Sequence, residues 1–220
     1  MEQVYCQKTI DNYDRIADES EEIAEERYPS WEEFLLPYLE RGNHILDLGC
    51  GTGHYSAVFQ QLGFQISALD ASLSLCRIAS EKLGIPVRNL RFDQLTDLAL
   101  YDAVWACCSL LHIPSFAMPD AFSRITAALK PGGYLYASFM EGEEEGYREQ
   151  LGSYMTNMTE QNMRTLVSFL PELQIIEIKR TPCLYKEGGM WIHFLMNKAL
   201  RTDTDERSQT EKNSNQNDSA

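Results

Sequence analysis

The residues with the clearest chemical use are three alternating glycines, Gly49, Gly51 and Gly53, and an aspartate beyond them, Asp70. The glycines follow a short apolar run at 45–48 and precede a segment with helical spacing, so they fill a turn between a strand and a helix. Glycines let the backbone turn tightly and approach a ligand, and the free N–H groups at a helix start favour an oxygen-rich or anionic group. Asp70 ends the next strand-like segment, where a carboxylate can accept both hydroxyls of a ribose. Together these residues indicate a ligand that contains a nucleoside.

The spacing of the glycines distinguishes between two kinds of nucleoside cofactor. A dinucleotide site has the pattern G-x-G-x-x-G, whereas this loop reads G-x-G-x-G, with His54 at the place of the third glycine. The spacing therefore disfavours a ligand that contains a pyrophosphate. A nicotinamide-dependent oxidoreductase is kept as the less favoured alternative. An isolated glycine loop is often only a turn, and Asp70 is the residue that argues against that interpretation.

Strand-like and helical segments alternate along the chain. The hydrophobic spacing predicts helices at 54–62, 72–83, 120–129 and 159–170, and strands at 45–48, 65–69, 87–92, 101–106, 134–139, 173–180 and 189–197. Such alternation with right-handed crossovers predicts an open, mostly parallel α/β sheet with helices on both faces. The last two strands are joined by about nine residues, too few for a helical crossover, so we expect one edge strand to run antiparallel.

The two ends of the chain differ from the middle. Residues 201–220 are almost entirely polar or charged and are predicted to be a disordered tail, which leaves 1–200 as a single domain. The first 40 residues or so are rich in carboxylates and predict a helical cap. Within it, Ser30 and Glu33 have the spacing of a capping box that opens a helix, which Pro37 then kinks or ends; its inward residues are Trp31, Phe34, Leu35 and Leu36.

Composition excludes several functional classes. The net charge of −14 makes a phosphate-neutralising surface hard to build, so nucleic acid is not an expected partner. No apolar run approaches the roughly 18 residues that span a bilayer, and Met1, Glu2 and Gln3 do not begin a signal peptide, so we expect a cytoplasmic protein without a membrane partner. The cysteines form no C-x-x-C pair and predict reduced thiols with neither a metal site nor a disulfide framework: Cys6, Cys50, Cys76, Cys107, Cys108 and Cys183.

The stretch 45–53 resembles the first motif of class I S-adenosylmethionine-dependent methyltransferases, and the likeness extends over most of the chain. Residues 102–111 and 129–139 resemble the fourth-strand and fifth-strand motifs of these enzymes, the latter through its Lys-Pro-Gly-Gly core at 130–133. The resemblance implies a Rossmann-like, seven-stranded, mostly parallel sheet whose final edge hairpin carries the antiparallel strand. It also implies S-adenosylmethionine as the cofactor.

The same resemblance implies a set of cofactor contacts. Asp70 matches the ribose-binding acid, Asp93 and Gln94 fall where the family contacts adenine, and Asp47 lies at the position beside the methionine ammonium. Two alternatives remain open, since Asp47 can instead cap backbone N–H groups and Asp93 can be a turn residue. Tyr13 resembles an element that covers the cofactor, or is a surface aromatic on an acidic helix. The remaining expected contacts are Gly49, Cys50, Gly51, Gly53, Ala71, Ala106 and Cys107.

The methyl acceptor is less constrained than the cofactor. Residues 105–112 are similar to a small subgroup related to tellurite-resistance methyltransferases, many of which have no assigned substrate. The chain lacks the Asn or Asp, two prolines and an aromatic that mark family members acting on adenine or glutamine amino groups. It also lacks an acid cluster for a magnesium site after the fourth strand. A small-molecule acceptor is therefore the leading interpretation.

Methyl transfer from a sulfonium is an in-line displacement in which proximity and orientation dominate. A general base is needed only for an acceptor that is protonated in its ground state, and His112 is the best candidate; the alternative is that His112 anchors a loop through the backbone. The acidic insert at 140–158 is expected to be a mobile lid or simply a solvated loop. Two alternatives remain. One is a non-catalytic protein that binds S-adenosylmethionine or has a regulatory role, and the other is a methyltransferase that acts on a protein or on tRNA, although the negative charge disfavours tRNA as a substrate.

Overall fold

A computed structural model describes residues 7–18, 30–183 and 188–200. The main feature is a seven-stranded sheet with the order β3-β2-β1-β4-β5-β9-β8, accompanied by a two-stranded hairpin of β6 and β7. In chain order the strands are β1 His44–Leu48, β2 Gln65–Asp70, β3 Arg88–Asn89, β4 Tyr101–Ala106, β5 Leu129–Met140, β6 Glu145–Arg148, β7 Ser153–Thr156, β8 Leu173–Pro182 and β9 Met190–Lys198.

The sheet is mostly parallel, as predicted. Strands β1 to β5 pair in parallel, whereas β9 runs antiparallel to both β5 and β8. The edge hairpin thus carries the antiparallel strand, with β9 placed one position inside the edge. The strand order reverses at β1, which has β2 on one side and β4 on the other, and ligands of open α/β sheets bind at such a point.

Helices cover both faces of the sheet, which confirms the predicted layers. Two hydrophobic clusters separate these faces. In one, the helices at 118–128 and 160–168 pack with Leu46 and Val104; in the other, the helix at 54–61 packs with Ile45 and Trp105, the adjacent residues of the same two strands. This division follows from the period of two in a strand, which sends successive side chains to opposite faces. The helices are α1 Gln7–Arg15, α2 His54–Gln61, α3 Leu73–Leu83, α4 Met118–Ala128 and α5 Glu160–Ser168.

The predicted capping box at Ser30 is wrong. The chain forms two short 3₁₀ turns, Trp31–Phe34 and Leu36–Tyr38, and the Ser30 side chain makes no capping hydrogen bond. Trp31 is buried edge-on against His193 of the sheet, with ring centroids 4.7 Å apart. Burial of this aromatic side chain therefore sets the path of the segment in place of an α-helical turn.

Three other elements differ from the sequence prediction. The third strand has only two residues and gives way to a 3₁₀ turn, Phe92–Gln94. The fifth strand, predicted at 134–139, already begins at Leu129 and contains a bulge at 130–133, since Tyr101 pairs with Leu129 while Ala103 pairs with Tyr134. The insert at 140–158 contains the hairpin of β6 and β7 where a loop was expected.

Parts of the predicted termini lie outside the described residues, namely the tail at 201–220 and the acidic stretch at 19–29. None of the helices in the described part of the chain has the length and apolar character needed to cross a bilayer.

Candidate functional site

A cavity of about 220 Å³ lies beyond the carboxyl ends of β1, β2 and β4. Four stretches of chain line it: α1, the turn after β1 with the start of α2, the region from the end of β2 to residue 92, and the segment after β4. The lining residues, in that order, are Thr9, Ile10, Tyr13; Asp47, Gly49, Cys50, Gly51, His54, Tyr55; Asp70, Ala71, Ser72, Leu75, Arg91, Phe92; and Cys107, Cys108, Ser109, His112, Ile113.

The glycine turn requires left-handed backbone at Gly49, Gly51 and Gly53, whose φ angles are +79°, +56° and +80°. At Gly49 a Cβ atom would lie 2.5 Å from the Cβ of Ser109, so only glycine lets the segment after β4 approach this closely. Gly53 does not line the cavity. A Cβ there would lie 3.2 Å from Ala79, and the residue instead permits α2 to pack against α3.

Asp70 fastens this turn to the end of β2. Its carboxylate accepts one hydrogen bond from the Gly51 N–H and one from the Ser72 N–H, each of 2.9 Å. Burial raises the pKa of Asp70, and the backbone N–H bonds oppose that rise. Each carboxylate oxygen has a further lone pair, so the group can still accept hydrogen bonds from a ligand.

Asp47 is a second buried carboxylate on the cavity wall, with 3% of its surface exposed. The Ser56 hydroxyl donates to it over 2.7 Å, and burial raises the pKa of Asp47 to about 7. No Lys or Arg side chain of the described ranges forms a salt bridge with it. A cationic group of a ligand beside Asp47 would favour its ionised form.

Tyr13 and His112 meet across the cavity although 99 positions separate them. The Tyr13 oxygen lies 2.9 Å from Nε2 of His112, and Nδ1 of His112 lies 2.8 Å from the Tyr154 carbonyl oxygen. Because a carbonyl can only accept, Nδ1 carries the proton and Nε2 accepts from the Tyr13 hydroxyl. Burial lowers the pKa of His112 to about 4, so the ring is neutral near pH 7. His112 therefore anchors the hairpin through the backbone and also faces the cavity.

Helix α1 is fastened on two sides. Asp14 accepts from the Ser72 hydroxyl over 2.6 Å and from the Ser74 N–H over 2.9 Å, which ties α1 to the start of α3. On the other side, the Tyr154 N–H donates to the Thr9 hydroxyl over 2.8 Å, which ties α1 to β7. Since Thr9 and Tyr13 line the cavity, α1 covers it from between these two attachments.

The segment after β4 contributes two thiols and an unusual backbone. Cys108 has a φ of +52°, and its N–H donates to the Ser138 hydroxyl over 2.9 Å. The Cys107 and Cys108 sulfur atoms lie 3.9 Å apart, and burial raises the pKa of the Cys107 thiol. The Ser109 hydroxyl is buried and has no hydrogen-bond partner among the described residues. Ala106 lies behind this segment, fully buried, and does not line the cavity.

Asp93 and Gln94 are also absent from the cavity wall. The Asp93 carboxylate pairs with the Arg91 side chain over 3.0 Å, and the Gln94 side chain accepts from the Arg91 N–H over 2.8 Å. Arg91 and Phe92 line the cavity instead. The sequence analysis named Asp93 and Gln94 in this stretch and named neither Arg91 nor Phe92.

The described residues contain no group of three or more His, Cys, Asp or Glu side chains that could hold a metal ion. The described cysteines are free thiols: Cys50, Cys76, Cys107, Cys108 and Cys183.

Comparison with known sequences gives consistent matches. A family model described as "Methyltransferase domain" matches residues 20–178. The ubiquinone biosynthesis O-methyltransferase of Xanthomonas axonopodis pv. citri is 37% identical over 116 residues, which cover 48% of this chain and 47% of that protein. The malonyl-[acyl-carrier protein] O-methyltransferase of Pectobacterium atrosepticum is 27% identical over 177 residues, covering 72% of this chain and 69% of the other. The chain spans about half the length of the Xanthomonas relative.

Solved structures share the fold. The 1,6-didemethyltoxoflavin-N1-methyltransferase of Burkholderia thailandensis, with bound 1,6-didemethyltoxoflavin and S-adenosylhomocysteine, aligns with a TM-score of 0.72 and 19% identity over 86% of this chain and 87% of that one. The magnesium protoporphyrin IX methyltransferase of Synechocystis PCC 6803, with bound S-adenosylmethionine, aligns with a TM-score of 0.59 and 16% identity over 85% of this chain and 80% of the other.

Proposed function

Because the chain belongs to the family of methyltransferase domains, we propose that it binds S-adenosylmethionine in this cavity and transfers the methyl group to a small molecule. The observation that carries the proposal is the arrangement of Asp70. Its carboxylate is held by N–H groups of Gly51 and Ser72 at the point where the strand order reverses. A rigid acid beside a glycine turn fits the ribose of a nucleoside cofactor.

The cavity residues fit the other parts of this cofactor. Asp47 is a buried carboxylate that a methionine ammonium would compensate, and Gly49 leaves space that a side chain would fill. Phe92 offers an apolar surface to adenine. Backbone groups at Cys50, Gly51 and Ala71 complete the proposed binding set. In place of Asp93 and Gln94, which pair with Arg91, we propose Phe92 as the adenine contact.

When bound, the cofactor supplies a methyl group on a sulfonium, which is already activated for displacement. The protein then has three tasks, which are to hold the two reactants in line, to exclude water and to handle any proton of the acceptor. Helix α1 serves the second task, because its two attachments keep Tyr13 over the cavity.

The Tyr13–His112 pair lies on the wall where we propose that the acceptor binds. With a pKa of about 4, His112 is a weak base at neutral pH, and its Nε2 is already hydrogen-bonded to Tyr13. The pair therefore suits an acceptor that presents a free lone pair better than one that must first lose a proton. We propose that His112 fixes the position of the Tyr13 hydroxyl, which in turn contacts the acceptor.

Several features support a small acceptor. Helix α1 lies over the cavity, which supports a small acceptor in preference to a protein side chain or an RNA base. The resemblance of residues 105–112 to the tellurite-resistance-related subgroup remains a prediction.

The free thiols support a reducing compartment, so we propose that the protein works in the cytoplasm. We also propose that residues 1–200 form one domain.

The test has two parts. Titration calorimetry should detect binding of S-adenosylhomocysteine and no binding of NADH. The protein is then incubated with methyl-labelled S-adenosylmethionine and a cell lysate that has been separated into metabolite, protein and RNA fractions, and the label should appear in the metabolite fraction. Label in the protein or RNA fraction would overturn the small-molecule proposal, and binding without label in any fraction would indicate a non-catalytic protein.

A further inference from the structure

We propose that the methyl acceptor is an uncharged nitrogen heterocycle, which donates an N–H group to the phenolic oxygen of Tyr13 while an unprotonated ring nitrogen attacks the methyl group. This inference rests on the proposed function and names the substrate class for the same site.

The hydrogen bonds of His112 determine which way the Tyr13 hydroxyl group points. Nδ1 of His112 lies 2.8 Å from the carbonyl oxygen of Tyr154, which can only accept, so this nitrogen carries the ring proton. A neutral imidazole has one such proton, so Nε2 has a lone pair and accepts the hydroxyl proton of Tyr13 over 2.9 Å. Toward a ligand, the Tyr13 oxygen therefore offers lone pairs and no proton.

Turning this hydroxyl toward a ligand would cost a hydrogen bond inside the protein. A ligand that accepted the Tyr13 proton would leave Nε2 of His112 without a donor, and an unpaired acceptor away from water is unfavourable. Burial lowers the pKa of His112 to about 4, so a second ring proton does not restore the pairing near pH 7. The pair thus selects ligands that donate to Tyr13 and disfavours ligands that can only accept.

The charges around the Tyr13 oxygen also favour a donor. Burial and the charge of Asp70 raise the pKa of Tyr13, so the hydroxyl keeps its proton near pH 7. Asp47 is a second acidic group on the cavity wall. Among the described residues that line the cavity, Arg91 is the only Lys or Arg, and its guanidinium pairs with Asp93 over 3.0 Å. Such surroundings attract the positive end of an N–H group and repel an anion.

The weakness of the available base narrows the choice of attacking atom. Hydroxyl, thiol and alkylammonium groups must lose a proton before they attack, and the only base in contact with Tyr13 in the described part of the chain is His112, with its pKa of about 4. A ring nitrogen with a free lone pair attacks as it stands. An aromatic heterocycle can hold this nitrogen and an N–H group in one plane, and Ile10, Tyr55 and Ile113 give the cavity apolar surface for such a ring.

The transfer balances without an added base. The lone pair of the ring nitrogen forms a bond to the methyl carbon as the bond from that carbon to sulfur breaks, and the electron pair of the broken bond stays on sulfur. The positive charge moves to the heterocycle, whose N–H proton remains in place until the product is released into water. Since the N–H group becomes a stronger donor as this charge develops, its hydrogen bond to Tyr13 is stronger in the transition state than in the ground state.

The test compares two probes that differ at one position. Benzimidazole has a ring N–H and an unprotonated ring nitrogen, whereas 1-methylbenzimidazole keeps that nitrogen and has a methyl group in place of the N–H hydrogen. In titration calorimetry with the full chain saturated with S-adenosylhomocysteine, benzimidazole should bind at least about tenfold more tightly. Equal affinities, or no binding of either probe to the saturated chain, would overturn the inference.

Three variants separate the hydrogen bond from the fit of the extra methyl group. Tyr13→Phe keeps the ring and removes the accepting oxygen, so the two probes should bind within about twofold of each other; a preference that survives would indicate steric exclusion and overturn the assignment. His112→Phe frees the Tyr13 proton to donate and should also reduce the preference, whereas a purely structural role would weaken both probes equally and leave it unchanged. Tyr147→Phe is the matched control, because it removes a phenolic hydroxyl outside the cavity wall and should keep the full preference.

Binding of S-adenosylhomocysteine to each chain distinguishes the possible failures. If it does not bind to the unmodified chain, the proposed function itself fails. If it binds and the probes show no preference, the inference alone is overturned. A loss of S-adenosylhomocysteine affinity beyond threefold in Tyr13→Phe would assign the Tyr13 oxygen to the cofactor and likewise overturn the inference.

A labelled-methyl assay on the unmodified chain tests the attacking atom. With methyl-labelled S-adenosylmethionine, benzimidazole should gain label on its ring nitrogen. Indole has an N–H group but no ring nitrogen with a free lone pair, so it should gain none. Benzimidazole that binds without being methylated, or indole that is methylated, would overturn the proposed acceptor class.

Discussion

The ionisation of Asp47 gives a quantitative prediction about ligand affinity. This carboxyl is almost completely buried, and burial raises its pKa to about 7 in the free protein. If the ammonium of the cofactor binds beside it, as proposed, only the ionised form of Asp47 binds tightly. The ionised fraction rises from about 3% at pH 5.5 to about half at pH 7.0, so the affinity for S-adenosylhomocysteine should rise about 15-fold, or ~1.6 kcal/mol, over this range.

The stability of the free protein should change in the opposite sense. The folded-state pKa of Asp47 lies above the value of 3.8 of an unperturbed carboxyl, so between about pH 4 and pH 7 the folded state holds more protons than the unfolded state. The contribution of this group to the free energy of unfolding therefore falls as the pH rises through this window, by at most about 4 kcal/mol. The pKa of Asp70 is raised in the same direction, and a bound cation should offset both effects.

The assay is titration calorimetry with S-adenosylhomocysteine at half-unit steps from pH 5.5 to 7.0, repeated in two buffers of different ionisation enthalpy to count the protons released. The matched variant is Asp47→Asn, whose side-chain oxygen still accepts the Ser56 hydroxyl. It should bind more weakly at pH 7.0 and lose the pH dependence. An affinity of the unmodified chain that stays constant across this range, or a variant with the same slope, would refute the placement of a cation at Asp47.

Three further substitutions test other parts of the site. Asp70→Ala should weaken S-adenosylhomocysteine binding by about 10- to 150-fold, because charge-assisted hydrogen bonds are lost. The control is Asp93→Ala, which lies outside the cavity and should leave the affinity within about twofold. Equal effects of the two substitutions in calorimetry would contradict the assignment of Asp70 to the ribose. Gly49→Ala should abolish binding and lower the thermal midpoint more than Gly51→Ala, since only the former places a Cβ 2.5 Å from another side chain; similar midpoints would count against the close approach. Tyr13→Phe removes one hydroxyl from the cavity. It should keep the S-adenosylhomocysteine affinity within about threefold and lower the turnover number at least tenfold in the labelled-methyl assay. Unchanged turnover would exclude this hydroxyl from the proposed mechanism.

Local spacing was enough to predict the strand–turn–helix–strand unit that places Gly49, Gly51 and Asp70 on the cavity wall. The alternating glycines and Asp70 belong to one strand–turn–helix–strand unit, so their positions follow from a short piece of chain. The hydrogen bond from the Gly51 N–H to the Asp70 carboxylate joins the turn after β1 to the end of β2 within this unit. The parallel order of the strands followed in the same way from the alternation of helical and strand-like periods.

The cavity wall formed by α1 and the segment after β4 depends on contacts that no local pattern encodes. Tyr13 and His112 meet because α1 packs between α3 and β7, far from both along the chain. The left-handed Cys108 depends on a hydroxyl from β5. The capping box at Ser30 failed for a related reason, because burial of Trp31 outweighed a local helix signal.

The two attachments of α1 have a kinetic consequence. A helix of nine residues has little stability by itself in water, so α1 depends on its bonds to α3 and to the hairpin. These bonds can break while the seven-stranded sheet remains folded, which makes detachment of α1 a local unfolding event of much lower free energy than global unfolding. If the cofactor binds beneath α1, as proposed, we expect its entry and its departure to depend on this local opening.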